Sequence, residues 1–345
     1  MPSIALRRLV GALSLSVALL VPGSAVAKNG PTISSFPAAA AWSLANPGLS
    51  PAGANHWDCK PTASHPRPVV LLHGTYANMF NSFASLSPAI RRQGYCVFAL
   101  DYGKGLLGGV NGTKSVRSSS KELATFVDKV LAATGAAQVD LVGYSQGGLV
   151  ARSYLRFDGG AAAAPSTADA ASAQPPSTTS AAATTNKVHA LIGLSTPNHG
   201  TDLLGFKTTL EARGLTPVLR LIAGDAAGDL LSGSPALTEL NAGGETLPGV
   251  RYTMIGTRTD IISRPYTDAF IQLRPADTVP TSASPVTPPA GGATVRNIPL
   301  QQGCAIDASD HFSITYSPRA TAHVLRALDP AFGGRTPCTL RAPVL

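Results

Sequence analysis

Val142-Gly143-Tyr144-Ser145-Gln146-Gly147-Gly148 sets a single serine among three glycines. The run before it, Gln138-Val139-Asp140-Leu141-Val142, has the make-up of a short buried strand, and Leu149, Val150 and Tyr154 after it begin a helical pattern. The Gly-x-Ser-x-Gly match therefore lies where a strand turns into a helix. In that context it reads as a nucleophile elbow, a turn so sharp that its neighbours must lack side chains, with the serine hydroxyl lifted above the sheet. The helix that starts there favours negative charge developing near its first turn.

Working outward, short β-rich runs alternate with helical patterns. The runs are Val69 to Leu72, Cys96 to Leu100, Val139 to Val142, Val188 to Leu194, Tyr252 to Gly256 and Val295 to Leu300. Strands alternating with helices predict βαβ units, hence an α/β fold with a mostly parallel central sheet flanked by helices. One domain over residues 68–345 accommodates them all. Between the second and third runs, Ser119 with Glu122 fits a capping box; Leu123, Phe126, Val127, Val130 and Leu131 share a helical face, and Gly135 ends it. Residues 28–67, rich in Pro, Ala and Ser, read as an extended N-terminal arm. Residues 159–186 are Ala, Ser, Thr and Pro with almost no large apolar side chain, so they read as a disordered low-complexity insertion. Pro280 to Ala293 is a further Pro- and Gly-rich loop. Residues 201–248 carry Leu203, Leu204, Phe206, Leu210, Leu219 and Ile222 in helical clusters between glycines, which suggests a small helical cap over the edge of the sheet or else a plain surface subdomain.

The first 27 residues have the form of a secretory signal peptide: Arg7-Arg8, an apolar run from Leu9 to Val21, and Ala25-Val26-Ala27 as a small-residue cleavage pattern. The apolar run is shorter than the roughly twenty residues a membrane-spanning helix needs. Secretion to the extracellular space is the expectation, with no transmembrane segment. The chain holds 27 Lys and Arg against 19 Asp and Glu; without Arg7 and Arg8 the balance is 25 to 19, a net of +6. That charge is scattered, with no basic stripe interleaved with aromatics, so nucleic-acid binding is not expected. Four cysteines, Cys59, Cys96, Cys304 and Cys338, suit two disulfides in an exported chain. Of the three pairings, Cys59 with Cys96 and Cys304 with Cys338 is favoured, because each pins a terminal extension to a nearby core strand. No two cysteines have C-x-x-C spacing, so a metal site is not expected.

A serine hydroxyl needs a base, and the base a third group to orient it. Of seven histidines, His311 follows the last strand run, in Asp307-Ala308-Ser309-Asp310-His311-Phe312, just before a helix starting near Pro318. This is the place of the histidine in the α/β-hydrolase order of nucleophile, acid, histidine. His199, in Asn198-His199-Gly200, is the main competitor, and His73 comes too early in the chain. Asp260 follows the strand run Tyr252 to Gly256 and is the expected acid, with Asp202 a weaker alternative. An oxyanion hole would take the backbone N–H groups of Gln146, after the serine, and of Thr75, in the loop following Val69-Val70-Leu71-Leu72-His73-Gly74.

On these residues the chain closely resembles the secreted bacterial class 2 lipases, which are α/β-hydrolases. The matching stretches include Pro68 to Thr75, Gly94 to Gly103, Val139 to Gly148, Pro197 to Thr201, Thr257 to Tyr266, and Asp310-His311 with Ala327-Leu328-Asp329-Pro330. The resemblance implies Ser145, Asp260 and His311 as triad, Thr75 and Gln146 as oxyanion hole, and hydrolysis of triacylglycerols and simpler esters. It implies no redox or nucleotide cofactor. Separately, a lipid or ester partner met at a lipid–water interface and a monomeric chain are expected. Tyr144 departs from the family, where His often stands; the insertion at 159–186 has no counterpart. No cluster of acidic residues suggests a structural calcium. The competing readings are a cutinase-like polyesterase or short-chain esterase, an acyltransferase using the same acyl-enzyme, and a non-catalytic binding module on a hydrolase scaffold.

Overall fold

A computed structural model describes residues 28–105, 110–162, 185–203, 205–272 and 292–344. The signal-peptide region, most of the insertion at 159–186 and nearly all of the loop at 280–293 lie outside the described residues. The sheet has six strands: β1 (Val69–Leu72), β2 (Val97–Leu100), β3 (Val139–Tyr144), β4 (Val188–Leu194), β5 (Arg251–Gly256) and β6 (Thr294–Pro299). Their order is β2-β1-β3-β4-β5-β6, and every pairing is parallel. All six coincide with the predicted runs to within two residues at either end.

Val69 to Leu72, a continuous apolar run, is buried at every position, as is Val139 to Tyr144, whose one carboxylate, Asp140, accepts from Arg67 Nε at 3.0 Å. Alternate residues serve opposite faces. Val70, Leu72, Val139 and Leu141 join the cluster under α4 (Val116–Thr134) and α5 (Gln146–Phe157), whereas Val69, Leu71, Val142 and Tyr144 join the one on the other face. That second face is covered by α2 (Met79–Phe83), α3 (Leu86–Arg92) and a C-terminal helix, Pro318–Leu328. Ser317 caps this last helix, its hydroxyl accepting from the N–H groups of Arg319 and Ala320 at 3.1 Å each.

Helix α4 starts earlier than its sequence suggests. Ser115 is the cap, its Oγ accepting from Ser118 N at 3.1 Å, while Ser119 is buried within the helix and Glu122 accepts instead from Gly103 N at 3.1 Å. Four serines within six residues all have capping chemistry. What selects Ser115 is tertiary: the carboxylate of Asp229 accepts from Val116 N at 2.9 Å, extending the helix by one turn. At the other end Gly135 takes φ +75°, and its N–H returns to Leu131 O at 2.8 Å. Leu123, Val127 and Val130 are fully buried.

The arm is not extended throughout. Phe36–Ala45 forms α1, an alanine-rich helix docked through the buried Ala39 and Ser43 and through Trp42, whose ring lies 4.4 Å from that of Phe80. Cys59 is bonded to Cys96, with Cα atoms 5.8 Å apart, and Cys304 to Cys338, at 5.4 Å. The first ties the arm to the start of β2. Four short helices fill 201–248: α6 (Lys207–Ala212), α7 (Thr216–Ala223), α8 (Asp225–Asp229) and α9 (Pro235–Asn241). Helices α8 and α9 contribute buried side chains; α6 and α7 contribute none. The C-terminal helix is therefore α10. Among the described residues no helix is long and apolar enough to cross a membrane.

Leu123→Ala removes a fully buried side chain of α4 and is expected to cost about 2–5 kcal/mol of stability, while Thr125→Ala on its exposed side changes stability by about 0.5 kcal/mol or less. Urea unfolding of both variants measures the contrast, and equal losses would contradict the assignment of the helix faces.

Candidate active site

Parallel strands deliver their C-terminal ends to one edge of the sheet, and loops gather there. Ser145 follows β3 directly. It holds φ +52° and ψ −125°, a conformation uncommon outside glycine, and its N–H donates to Leu194 O at the end of β4, 2.8 Å away. A Cβ on Gly147 would sit 2.2 Å from Leu72 O and one on Gly143 2.5 Å from Gly148 N. Helix and strand approach too closely there for any side chain, which is the physical reason for the glycines that flank the serine.

His311 comes from the loop between β6 and α10, and Asp260 from the loop after β5. His311 Nε2 lies 2.9 Å from Ser145 Oγ, and His311 Nδ1 lies 3.0 and 2.9 Å from the two carboxylate oxygens of Asp260. Since the carboxylate can only accept, Nδ1 carries the hydrogen and Nε2 faces the serine bare. Asp260 Oδ1 also accepts from Ile262 N and Ser263 N at 2.8 Å each. Burial alone would raise the Asp260 carboxyl. The charge and hydrogen bond of His311, with the N–H groups of Ser263 and Ile262, outweigh it and hold the carboxyl below its ordinary range. The His311 loop is itself tied down: Thr257 Oγ1 and Thr259 Oγ1 donate to Ser309 O at 2.5 and 2.8 Å, and the buried Asp307 accepts from the hydroxyls of Ser309 and Ser317.

Thr75 lines the same cleft as Ser145, and its hydroxyl donates to Gln146 Oε1 at 3.0 Å, linking the loop after β1 to the first residue of α5. His73 has a role the sequence did not disclose. Fully buried, it stacks on Tyr102 with ring centroids 4.2 Å apart; its Nε2 accepts from Tyr102 N at 3.3 Å, so Nδ1 is left to donate to Gly74 O at 2.8 Å. Burial lowers its pKa despite the nearby Asp101 carboxylate. A neutral histidine of fixed tautomer thus braces the carbonyl just before Thr75. His199 is occupied elsewhere, with Nε2 2.5 Å from Glu245 Oε1, and this hydrogen bond raises its pKa.

The cleft around Ser145 encloses about 410 Å³. Its walls come from the loop after β1, from Thr201 and Leu203, from Ala227 and Leu230 of the 201–248 region, from Phe312, and from Phe36, Ala40 and Leu44 of α1. The role of α1 was not anticipated, although a four-residue spacing of Phe, Ala and Leu is visible in the sequence. Tyr144 lines the cleft as well as packing beneath the elbow with Val142 and Leu194, its ring 5.6 Å from His311. Among the described residues no group of three or more His, Cys, Asp or Glu side chains could hold a metal ion.

Residues 66–268 match the family model described as Lipase (class 2). The chain belongs to the class 2 lipase family. It is 32% identical over 90 residues to triacylglycerol lipases of Pseudarthrobacter phenanthrenivorans and Burkholderia plantarii. That stretch is 25% of this chain and 27% and 24% of theirs, so the alignment spans about a quarter of the curated relatives it matches. Among solved structures, lipase B of Aspergillus fumigatus superposes with a TM-score of 0.51 at 18% identity, covering 84% of this chain and 56% of that one, a likeness of fold. The class 2 lipase fold and the α/β-hydrolase architecture expected from the sequence agree.

A carboxylate held low by its partners stabilises the folded state above its ordinary pKa of about 4 and loses that contribution as pH falls through the depressed folded value. The stability gap between wild type and Asp260→Asn is therefore expected to be full at about pH 6 and to shrink below about pH 4. Urea unfolding across this range tests it; a gap that stayed constant or widened would contradict a lowered Asp260 pKa.

Proposed function

We propose that this class 2 lipase is an exported serine hydrolase of carboxylic esters, with triacylglycerols at a lipid–water interface as its main substrates. The observation that carries the reading is the unbroken hydrogen-bonded chain Ser145–His311–Asp260, in an apolar cleft. Ser145 Oγ attacks the ester carbonyl while His311 Nε2 takes its proton, and Asp260 stabilises the imidazolium that results. The tetrahedral oxyanion is held by the N–H groups of Thr75 and Gln146. Collapse expels the alkoxide, which takes the proton back from His311 and leaves as the alcohol. Water, deprotonated by the same histidine, then attacks the acyl-enzyme; the acid departs and Ser145 regains its hydrogen. No step calls for a cofactor.

Export is supported by residues 1–27 and by the two disulfides. A single hydrolase domain over 68–345, preceded by the arm, accounts for the one continuous sheet. Lipid as the substrate phase is favoured by the surface beside the cleft. In α7 and just before it, Leu221 is 85% exposed, Ile222 80%, Val218 46% and Leu215 38%, with Phe206 at 64% ahead of α6. Tyr76 of the cleft wall reaches this helix, its hydroxyl donating to Ala223 O at 2.7 Å. Clustered apolar exposure of this kind suits contact with an apolar phase.

Ser145→Ala is expected to lower p-nitrophenyl butyrate turnover by at least about a thousandfold and to abolish labelling by a fluorophosphonate. Near-wild-type turnover would sink the assignment. Replacing Leu221 and Ile222 together by Ser should reduce hydrolysis of emulsified triolein several-fold more than hydrolysis of dissolved p-nitrophenyl butyrate; equal effects on the two would remove the interfacial part of the proposal.

A further inference from the structure

We infer that α1, the helix of the N-terminal arm, is the wall of the cleft that selects hydrocarbon-chain length, with Ala40 the residue that decides how long a chain is admitted. This rests on reading the cleft as an ester-hydrolase site. Phe36, Ala40 and Leu44 recur every four residues, which puts them on one stripe of the helix, and all three line the cleft that holds Ser145. The helix is anchored beside that stripe: Ala39 and Ser43 are buried, and the Trp42 ring packs against Phe80. The wall is therefore held in place while its apolar stripe faces the cleft.

Its position relative to the reacting atoms is fixed at one end by Phe36. That ring lies 5.6 Å from Phe312, the neighbour of His311, and 6.4 Å from Tyr316. At the other end Leu44 is 71% exposed, a large apolar side chain left at the mouth. Between the phenyl ring at the inner end and the leucine at the mouth stands the smallest side chain of the three. A small side chain flanked by two large apolar ones on the cleft wall leaves the room that a flexible hydrocarbon arm would occupy. Each methylene that loses such a contact costs about fourfold in kcat/KM.

The test uses the full chain and two ester series: p-nitrophenyl butyrate and palmitate, in which the acyl arm varies, and butyl and hexadecyl butyrate, in which the alcohol arm varies. Ala40→Trp fills the gap. It is expected to lower the long-to-short ratio of kcat/KM by at least about tenfold in one series, and that series identifies the arm that α1 holds. Leu44→Ser should lower the same ratio about three- to tenfold, whereas Leu340→Ser, an exposed leucine outside the cleft, leaves it unchanged. If Ala40→Trp melts early by circular dichroism, Leu44→Ser decides alone, since that side chain is exposed. Ratios unchanged in both series overturn the inference. Fluorophosphonate labelling of wild type at Ser145 separates the two levels: labelling with unmoved ratios removes only the role of α1, and absence of labelling removes the hydrolase reading beneath it.

Discussion

The backbone of Ser145 is the constraint from which the rest of the site follows. A serine at φ +52° is strained by about 1–3 kcal/mol, and it persists because its surroundings leave no alternative. Its N–H is spent on Leu194 O, the β3 register with β1 and β4 sets where the strand ends, and α5 begins at the very next residue. The packing that crowds Gly143 and Gly147 is the same packing that presses α5 onto the sheet. The turn thus converts core packing energy into a fixed direction for one hydroxyl.

Such a device is useful only if partners arrive from elsewhere with matching precision, and the sheet order explains how they do. Strands β1, β3, β4, β5 and β6 are neighbours in that sequence, and all run the same way. The loops after β1, β3, β5 and β6, which carry Thr75, Ser145, Asp260 and His311, are consequently side by side although 236 residue numbers separate the first from the last. Each long loop then has its own internal ties. The Asp260 turn closes on Ile262 N and Ser263 N, and the His311 loop on Thr257, Thr259 and Asp307.

The sequence revealed those parts whose signals are local or set by chain order. Strands with buried faces show as Val- and Leu-rich runs, a Gly-x-Ser-x-Gly turn between strand and helix has one plausible geometry, and in a parallel sheet the order of loops orders their residues. It was silent wherever a choice depends on contacts distant in sequence. Ser115 rather than Ser119 caps α4 because Asp229, more than a hundred residues on, supplies a carboxylate. The arm looked extended because Pro, Ala and Ser also suit a coil; Trp42 against Phe80 makes Phe36–Ala45 a helix. His73 is excluded as the base by its early place in the chain and gets no other role from the sequence, since nothing nearby in the chain hints at Tyr102 stacking over it.

His73 also shows why buried polar groups that never touch a substrate matter to a site of this kind. On the proposed reading the Thr75 N–H holds an oxyanion, and a backbone donor does this well only if it is aimed before the charge appears, because a loop that must reorganise gives back part of what it contributes. The loop carrying Thr75 is braced at Gly74 O by His73 Nδ1 and across to α5 by the Thr75 hydroxyl on Gln146. A protonated His73 would turn its Nε2 into a second donor facing Tyr102 N–H, donor against donor, and would lose the hydrogen bond that helps hold the ring against Tyr102. Burial prevents this by holding its pKa down. The same loss of solvent that would be a penalty for a charged side chain therefore keeps this imidazole neutral and in one tautomer, and so keeps the Thr75 loop aimed.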